Sequence, residues 1–278
     1  MSDNALSLLA PAKLNLFLHI LGRRNDGYHN LQSLFQLLDF GDDLHFETDT
    51  SGTISLHLDS NSKIKKVPMD DNLIIRATEL LRANYGRNQL GASITLTKRI
   101  PIGSGLGGGS SNAAATLKAL NKLWNCGLEK QELATMGLEL GADVPVFVWG
   151  KSAWAEGVGE RLEAIEIEPC WYLVINPNSV VSTAQIFSQE NLTRNSPAIK
   201  MADFLAGRAK NDCEAVTRNL HPEVNEALNW LGQFSEARMT GTGSAVFSRF
   251  ENEAAAQAVF AKRPSSLNGF VARGINSL

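Results

Sequence analysis

A run of glycines between residues 101 and 112 has the clearest chemical meaning in this sequence. It reads Pro101-Ile-Gly-Ser-Gly-Leu-Gly-Gly-Gly-Ser-Ser-Asn112, and five of the seven residues from Gly103 to Gly109 are glycine. Glycine allows positive φ and lets an anion approach backbone N–H groups without a Cβ in the way. The alanine-rich helical pattern that follows adds N–H donors and partial positive charge at its N-terminus. The segment therefore predicts a cradle for a polyphosphate.

A flexible linker or a simple turn fits the glycine run less well, because neither would lie between a β-rich segment and a well-patterned helix. The sequence lacks G-x-x-x-x-G-K-[ST], which excludes that kind of phosphate loop. A G-x-G-x-x-G string occurs at Gly103, Gly105 and Gly108, but a dinucleotide-binding fold also needs an early βαβ unit and an acidic residue about 20 positions on. Residues 117–125 contain no acid.

The composition is that of an ordinary folded protein. The chain has 278 residues, of which 44% are hydrophobic and 20% charged, and this balance excludes a disordered chain. The 26 lysines and arginines against 29 aspartates and glutamates give a net charge of −3. Because duplex nucleic acid binds basic surfaces, we expect no nucleic-acid partner.

Targeting signals are not evident in the sequence. No run of about 18 apolar residues occurs, so we expect no membrane partner or span. Asp3 lies in an N-terminal segment without a basic region, and Lys13 interrupts its only apolar stretch, which disfavours a signal peptide. Cys126, Cys170 and Cys213 are odd in number and widely spaced, which favours buried thiols over a zinc cluster or a disulfide framework. These features favour the cytoplasm.

Hydrophobic periodicity predicts mixed strands and helices. Leucines at positions 14, 16 and 18 recur with a period of two, and we interpret residues 5–21 as a pair of strands. Gly27 marks a turn, Asn72 can cap a helix that runs to Tyr85, and Gly86 ends that helix. Glycines at positions 150, 157 and 159 indicate a domain boundary near them. The remaining predictions are strands over residues 42–48, 53–59, 92–97, 171–175, 245–250 and 269–273, helices over 111–124, 130–140, 210–219, 223–234 and 253–262, and a surface loop over 188–198.

Five segments resemble a known kinase family. The glycine run matches the P-x-x-x-G-L-G-[GS]-S-S signature of the galactokinase, homoserine kinase, mevalonate kinase and phosphomevalonate kinase (GHMP) superfamily. The segments PAKLNLFL (11–18), RRNDGYHNLQSLF (23–35) and LGADVPVF (140–147) narrow the resemblance to the 4-diphosphocytidyl-2-C-methyl-D-erythritol kinase family. MTGTGSAVF (239–247) resembles the third, glycine-rich motif of the superfamily. The matches follow the family's order over nearly the whole chain.

The resemblance implies an α+β fold of two domains. Residues 1–155 would form an N-terminal domain like ribosomal protein S5 domain 2, with the glycine loop, and residues 156–278 a ferredoxin-like C-terminal domain. It implies ATP-dependent phosphorylation of the 2-hydroxyl of 4-diphosphocytidyl-2-C-methyl-D-erythritol, in non-mevalonate isoprenoid precursor biosynthesis. Mg²⁺ would accompany ATP, held largely by the phosphates and by no metal site built from side chains. The implied partner is a small cytidine diphosphate-linked molecule, and the implied assembly is a monomer or weak homodimer.

The resemblance also assigns the catalytic and ATP-binding residues. Asp143 would be the general base and Lys13 its partner, because a carboxylate can accept the hydroxyl proton while an ammonium stabilises charge on the attacking oxygen. Without the resemblance, a helix cap before Val144 is the less favoured alternative for Asp143, whereas a surface lysine at a strand end is the better interpretation of Lys13. The implied ATP-binding residues are Pro101, Ile102, Gly103, Ser104, Gly105, Leu106, Gly107, Gly108, Gly109, Ser110 and Ser111.

The implied substrate-binding residues lie in three segments. Tyr28 and His29 would bind the cytidine end by aromatic stacking and a histidine contact, although both could be ordinary loop residues. Phe187, after Thr183, would stack on the other face of the cytosine. Asn15 would make a hydrogen bond near the erythritol.

Five further residues have no assigned role. Asn72 and Lys98 could lie near the adenine, but a helix cap and a solvated lysine explain them nearly as well. Asp39, Asp42 and Asp43 look like turn carboxylates, and we assign them no function.

Two alternative functions stay open. One is a GHMP-superfamily kinase of another small alcohol, such as homoserine or mevalonate, and the Tyr28–His29 segment argues against it because those substrates have no base to stack. The other is a catalytically inactive nucleotide-binding regulator, which the presence of both Lys13 and Asp143 disfavours.

Overall fold

Strands and helices are interspersed along residues 4–64, 71–85 and 89–278, which a computed structural model describes. The strands are β1 (Ala5–Arg23), β2 (His29–Asp49), β3 (Ile54–Leu58), β4 (Gly91–Thr97), β5 (Ala153–Gly157), β6 (Arg161–Ala164), β7 (Trp171–Asn176), β8 (Ala237–Met239), β9 (Val246–Phe250) and β10 (Asn268–Ile275). The helices are α1 (Leu73–Asn84), α2 (Gly108–Leu123), α3 (Lys130–Leu140), α4 (Val144–Trp149), α5 (Thr183–Ser188), α6 (Met201–Leu205), α7 (Glu214–Leu220), α8 (Pro222–Leu231) and α9 (Glu253–Phe260). Asp3 and Gly86, named above, lie outside the described residues.

The chain divides into two units that are discontinuous in sequence. The first contains Met1–Ala12, Gly41–Pro101 and Gly107–Gly150, and the second contains Lys13–Phe40, Ile102–Leu106 and Lys151–Leu278. Each unit has both helices and strands, which confirms the α+β class. A contiguous division into residues 1–155 and 156–278 stays a prediction.

The first unit combines a small sheet with helices α1 to α4. Strand β2 pairs antiparallel with β4, from Asp43 opposite Thr97 to Asp49 opposite Gly91, and β3 lies parallel to β4. Leu117 and Leu120 on α2 and Trp124 at its C-terminal end, which are spaced by three and four residues, are all buried. Helix α2 packs against α1, α3 and α4, so the helices bury their apolar faces together.

The second unit has a larger antiparallel sheet. Strand β2 pairs with β5 through residues 31–35, and with β10 through Leu38 opposite Gly274. Strand β10 also pairs with β7, β7 with β9, and β9 with β8, while β6 pairs with β5. A continuous apolar cluster that includes Ile20, Leu173 and Val246 forms the core of this unit. No helix among the described residues has both the length and the apolar character that crossing a membrane requires.

Two sequence-based assignments are wrong at the start and in the second half of the chain. Residues 5–21 form part of a single strand of 19 residues rather than a strand pair. Every residue from Ala10 to Ile20 is buried, so both faces of β1 are covered and no exposed turn divides it into two strands. The helix predicted from residue 210 begins at Glu214 instead, because Leu18 N donates to Lys210 O and Asp212 N donates to Leu18 O. Those bonds hold residues 210–212 against β1.

Other predictions are confirmed within a few residues. Gly27 is in a turn with φ of +88°, and Asn72 caps α1 by accepting a hydrogen bond from Ile74 N at 3.0 Å. Helix α3 has the predicted bounds. The sequence does not predict the short elements β5, β6, β8, α5 and α6, which have three to six residues each. The apolar stretch at residues 144–149 is helix α4, which is equally short.

A buried carboxylate organises the end of β4, where the chain enters the glycine run. Asp42 is fully buried on β2, and its Oδ2 lies 2.6 Å from Lys98 Nζ, which is buried as well. Its Oδ1 accepts hydrogen bonds from the backbone N–H groups of Arg99 at 2.6 Å and Ile100 at 2.8 Å. Burial lowers the pKa of Lys98, and the Asp42 carboxylate opposes this effect. The interpretations of Asp42 as a turn carboxylate and of Lys98 as a solvated lysine are both wrong.

Loss of this carboxylate should destabilise the protein. Asp42→Asn leaves the buried Lys98 ammonium without its counter-charge, and we expect a loss of about 3 kcal/mol in the free energy of unfolding. Urea denaturation with linear extrapolation measures it. The control is Asp43→Asn, because the Asp43 side chain is 53% exposed and an exposed ion pair contributes at most about 1 kcal/mol. Equal losses in the two variants would contradict the structural role of Asp42.

Candidate active site

The glycine run forms a loop that leads directly into α2. The helix begins at Gly108, three residues before the predicted start, so Gly108 to Ser111 are its first turn. Gly107 is the N-cap and has φ of +74°, a conformation that residues with a Cβ rarely adopt. Because Gly107 has no side chain, the N-cap residue itself makes no side-chain capping bond. The N–H groups at the start of a helix have no carbonyl of their own helix to reach, so an anion can accept from them.

A lysine ammonium lies beside that first turn. A Cβ built on Gly108 would lie 3.1 Å from Lys98 Nζ, so the ammonium packs closely against this glycine. The Asp42 carboxylate fixes Lys98 at this place. The helix N-terminus supplies N–H donors and partial positive charge at this point, which is the electrostatic requirement of a phosphate site.

Two buried side-chain atoms at the start of α2 have no hydrogen-bond partner among the described residues. They are Ser111 Oγ and Asn112 Oδ1. A buried polar atom without a partner is costly in a native protein. These two atoms lie at the start of α2, directly after the glycine loop. They can therefore bind either a ligand with phosphate oxygens or a cation.

Asp143 lies at the N-cap position of α4 but does not cap the helix. Its backbone is helical, with φ of −85° and ψ of −9°, and its side chain makes no capping hydrogen bond to the described residues of α4. The interpretation of Asp143 as a helix cap is therefore wrong. The residue is half-buried, and the turn that precedes it is close to α2, since a Cβ built on Gly141 would lie 3.8 Å from Ser110 Oγ.

Lys118 connects α2 to α4. Its Nζ donates a hydrogen bond to Phe147 O at 3.1 Å, so the short helix that begins after Asp143 is tied to the helix that begins at the glycine loop. Burial, helped by the nearby Lys130 charge, lowers the pKa of Lys118 to about 8. Nothing in the sequence pattern distinguishes this half-buried lysine from the exposed Lys122 of the same helix.

In the second unit, Lys13 belongs to a buried hydrogen-bond network on β1. Lys13 is 2% exposed, and its Nζ donates to Asn15 Oδ1 at 2.5 Å. The ammonium also lies 5.3 Å from the centre of the Phe35 ring. Lys13 N donates to Leu106 O at 3.0 Å, at the end of the glycine loop. The interpretation of Lys13 as a surface lysine is therefore wrong.

Asn15 joins that network to the third glycine-rich segment. Its backbone N–H donates to Thr240 Oγ1 at 2.9 Å, and its Nδ2 donates to Ser33 Oγ at 2.8 Å. A Cβ built on Gly105 would lie 2.4 Å from Thr240 O, so the glycine loop and the MTGTGS segment are in backbone contact. Sequence reasoning missed Ser33 and Thr240, because a lone hydroxyl gives no sequence signal.

The residues predicted to bind the base come together in part. The rings of His29 and Phe187 lie with centroids 4.9 Å apart and planes tilted by 33°. Thr183, at the start of α5, shares a hydrogen bond of 3.1 Å with Thr242 through their hydroxyl oxygens. Tyr28 is 62% exposed. Only the His29 and Phe187 rings are in contact among the aromatic residues predicted for this site, within the described part of the chain.

An arginine that sequence reasoning missed also belongs to this cluster. Arg194, in the predicted surface loop, donates from Nε to His29 Nε2 at 3.3 Å. A single arginine in a polar segment gives no signal of such a contact, because the histidine is far away in sequence.

Comparison with known proteins settles the family. The family described as GHMP kinases N terminal domain matches residues 72–151, and GHMP kinases C terminal matches residues 192–268. The 4-diphosphocytidyl-2-C-methyl-D-erythritol kinase of Pseudomonas paraeruginosa is 55% identical over 98% of this chain and 94% of its own length. This chain belongs to that kinase family.

Further relatives agree with the assignment. The kinase of the same name from Alkalilimnicola ehrlichii is 54% identical over 96% of this chain and 90% of its own length. A crystal structure of 4-(cytidine 5'-diphospho)-2C-methyl-D-erythritol kinase superposes with a TM-score of 0.79 at 32% identity, covering 97% of this chain and 99% of the other. The expected membership of this kinase family, and with it the expectation of a small-molecule phosphotransferase, is confirmed.

Lys118 should make the stability of this kinase depend on pH. Its pKa is about 8 in the folded protein against an ordinary value of 10.5, so between these values the unfolded chain binds more protons and the free energy of unfolding rises with pH. From pH 8 to pH 10, wild type should gain on the order of 1–2 kcal/mol relative to Lys118→Met. Urea denaturation at several pH values measures the difference.

The matched control for this experiment is Lys122→Met, on the exposed side of the same helix. Wild type and Lys118→Met curves that stay parallel over this pH range would show that Lys118 is not the buried titrating group.

Proposed function

We propose that this chain transfers the γ-phosphoryl group of ATP to the 2-hydroxyl of 4-diphosphocytidyl-2-C-methyl-D-erythritol, giving ADP and the 2-phosphate. The observation that carries the proposal is the start of α2, where Gly107, Lys98 and the buried Ser111 hydroxyl combine beside the glycine loop. The relatives' names supply the substrate. The reaction belongs to non-mevalonate isoprenoid precursor biosynthesis.

ATP would bind with its phosphates on this loop. The backbone N–H groups after Gly107 and the Lys98 ammonium would hold phosphate oxygens, as a helix N-terminus does. The predicted ATP-binding residues Pro101 to Ser111 remain a proposal, which the loop geometry supports.

Mg²⁺ would accompany the nucleotide. Among the described residues, no group of three or more His, Cys, Asp and Glu side chains could hold a metal ion, so phosphate oxygens would supply most of its ligands. Ser111 Oγ and Asn112 Oδ1 are buried protein oxygens that fit such a cation or its phosphate ligands. When bound, Mg²⁺ neutralises charge on the β- and γ-phosphates.

Asp143 and Lys13 would activate the acceptor hydroxyl of the substrate. As the oxygen–phosphorus bond forms, the Asp143 carboxylate accepts the hydroxyl proton, and the bond to the leaving ADP oxygen breaks. The Lys13 ammonium would stabilise negative charge on the attacking oxygen. Because Asn15 Oδ1 accepts from Lys13 Nζ, Asn15 would orient the ammonium.

The cytidine end would bind at the aromatic cluster of the second unit. Tyr28 and Phe187 would stack on the two faces of the base, and His29 would contact its edge. Thr183 would hold the start of α5 in place through its hydroxyl hydrogen bond to Thr242. The large exposed fraction of the Tyr28 ring is consistent with a ring that a ligand can cover.

The finer description of fold and setting is also a proposal. The N-terminal domain, residues 1–155, would be like ribosomal protein S5 domain 2, and the C-terminal domain, residues 156–278, ferredoxin-like. Burial of the three cysteines supports a cytoplasmic location. The partner would be the small cytidine diphosphate-linked substrate, without nucleic acid or membrane, and the assembly a monomer or weak homodimer.

A substrate panel tests the proposed reaction. ADP release is measured with ATP, Mg²⁺ and one alcohol at a time: 4-diphosphocytidyl-2-C-methyl-D-erythritol, homoserine, mevalonate or galactose. We expect turnover with the cytidine compound and at least ~100-fold less with the others, since they lack the base that the pocket contacts. Preference for another alcohol would indicate a different kinase of the superfamily. Tight ATP binding without turnover would indicate an inactive regulator.

Removal of the proposed base should abolish most turnover. Asp143→Asn keeps the shape of the side chain but cannot accept the proton, and we expect kcat to fall by roughly 10²–10⁴-fold while ATP binding, measured by calorimetry, is kept. Glu139→Gln makes the same chemical change on the exposed side of α3 and should leave kcat near wild type. A kcat for Asp143→Asn close to that of the control would remove Asp143 from the mechanism.

A further inference from the structure

Ser33, on β2, belongs to a buried chain of hydrogen bonds that leads to Lys13. Its hydroxyl donates to Phe17 O at 2.6 Å, and its Oγ accepts from Asn15 Nδ2 at 2.8 Å. The other end of that amide, Asn15 Oδ1, accepts from Lys13 Nζ. The three side chains are all buried, so water competes little for these bonds, and the state of one bond bears on the next.

A backbone carbonyl sets the direction of every bond in this chain. A carbonyl oxygen can only accept, so the single hydroxyl hydrogen of Ser33 points at Phe17 O. Ser33 Oγ must then accept from the amide, and the Asn15 atom that faces it must be the donor Nδ2. The oxygen of the amide is thereby turned toward the ammonium. An amide without this constraint can turn over, which exchanges its oxygen and its nitrogen.

Thr240 is consistent with this orientation but constrains it less. Its Oγ1 accepts from Asn15 N at 2.9 Å, and Asn15 Oδ1 at 3.5 Å and Gly105 O at 3.4 Å are both acceptors within reach of its hydrogen. Bonds of this length are weak compared with one of 2.8 Å. The main constraint on the Asn15 amide therefore comes from Ser33.

We propose that Ser33 is a positioning residue for phosphoryl transfer, which holds the Asn15 amide with its oxygen toward Lys13 and so keeps the ammonium in one place. This inference rests on the proposed function, in which the ammonium stabilises charge on the attacking oxygen. If the amide turned over, its N–H groups would face the ammonium, two donors would meet, and the ammonium would be displaced. A displacement of about 1 Å can cost about 10²-fold in rate.

A merely structural role for Ser33 makes a different prediction. If the hydroxyl only contributes buried hydrogen bonds to the fold, its loss should lower the free energy of unfolding and leave the kcat of the folded enzyme unchanged. If the hydroxyl orients the amide, kcat should fall in enzyme that is fully folded and saturated with both substrates. A substitution that keeps a hydroxyl should then restore kcat.

Steady-state kinetics of Ser33→Ala and Ser33→Thr separate the two roles. At saturating ATP, Mg²⁺ and cytidine substrate, kcat of Ser33→Ala should fall by about 10- to 100-fold. The KM for ATP should stay near that of wild type, because the proposed phosphate site is in the first unit and Ser33 is in the second. Ser33→Thr should recover most of the lost kcat. A kcat of Ser33→Ala near wild type, or an equal loss in both variants, would overturn the proposal.

Ser248→Ala is the matched control. Ser248 is also buried in the second unit, and its hydroxyl donates to a backbone carbonyl, Glu236 O, at 2.8 Å. Its removal should lower the free energy of unfolding, measured by urea denaturation, about as much as Ser33→Ala does, and should leave kcat near wild type. If Ser248→Ala lowers kcat as much as Ser33→Ala, the loss is a general effect of deleting a buried hydroxyl and the proposal is wrong.

Neutron diffraction from crystals of the perdeuterated full-length wild type tests the orientation without any variant. The map should show two deuterons on the Asn15 atom that faces Ser33, and the Ser33 deuteron directed at Phe17 O. Deuterons on the Asn15 atom that faces Lys13 would overturn the proposal, even if Ser33→Ala does not fold. Failure of the proposed function would be distinct: wild type would then not phosphorylate the cytidine substrate, while the map would still report the orientation of the amide.

Discussion

The buried pair of Asp42 and Lys98 is the interaction on which the phosphate side of this kinase depends. Taking a carboxylate and an ammonium out of water is costly, and the cost is offset only when both are well paired. Asp42 meets this condition through the ammonium and two backbone N–H groups. The chain is thereby fixed at Ile100, directly before the loop, and the ammonium is held against a glycine that leaves it room. The position of the first turn of α2 follows from this arrangement.

Neutral groups help to hold the buried cation of the second unit. An amide oxygen accepts from the Lys13 ammonium, and the face of the Phe35 ring lies near it. Both contacts offset part of the cost of removing the charge from water, through a hydrogen bond and through the ring quadrupole. They also restrict the side chain to one place on a strand whose neighbours are all buried. The same residues of β1 therefore build the core and present the ammonium.

The features that the sequence predicts are local ones. Helix α3 has the predicted bounds because a capping box precedes an amphipathic run. The glycine loop follows from five glycines that leave few alternatives. Burial of charge is not predictable in this way, since Asp42 and Lys98 are 56 positions apart and a charged residue is normally exposed. The partnership of Arg194 with His29 spans 165 positions, and neither residue signals it. The family resemblance, not the pattern, suggests the two catalytic residues.

The pairing of β10 with β2 has a consequence for the order in which the protein is made. Leu38 and its neighbour Leu37 lie opposite Gly274 and Ile275, and the side chain of Gln36 bonds to Ile275 O across 239 positions. Domains generally fold as units during synthesis, N-terminal part first, but this sheet must wait until β10 has been made. Until then, part of β2 presents unpaired backbone groups, which invite contacts with other chains. Nascent chains that contain β2 without β10 are therefore the form of this kinase most exposed to aggregation.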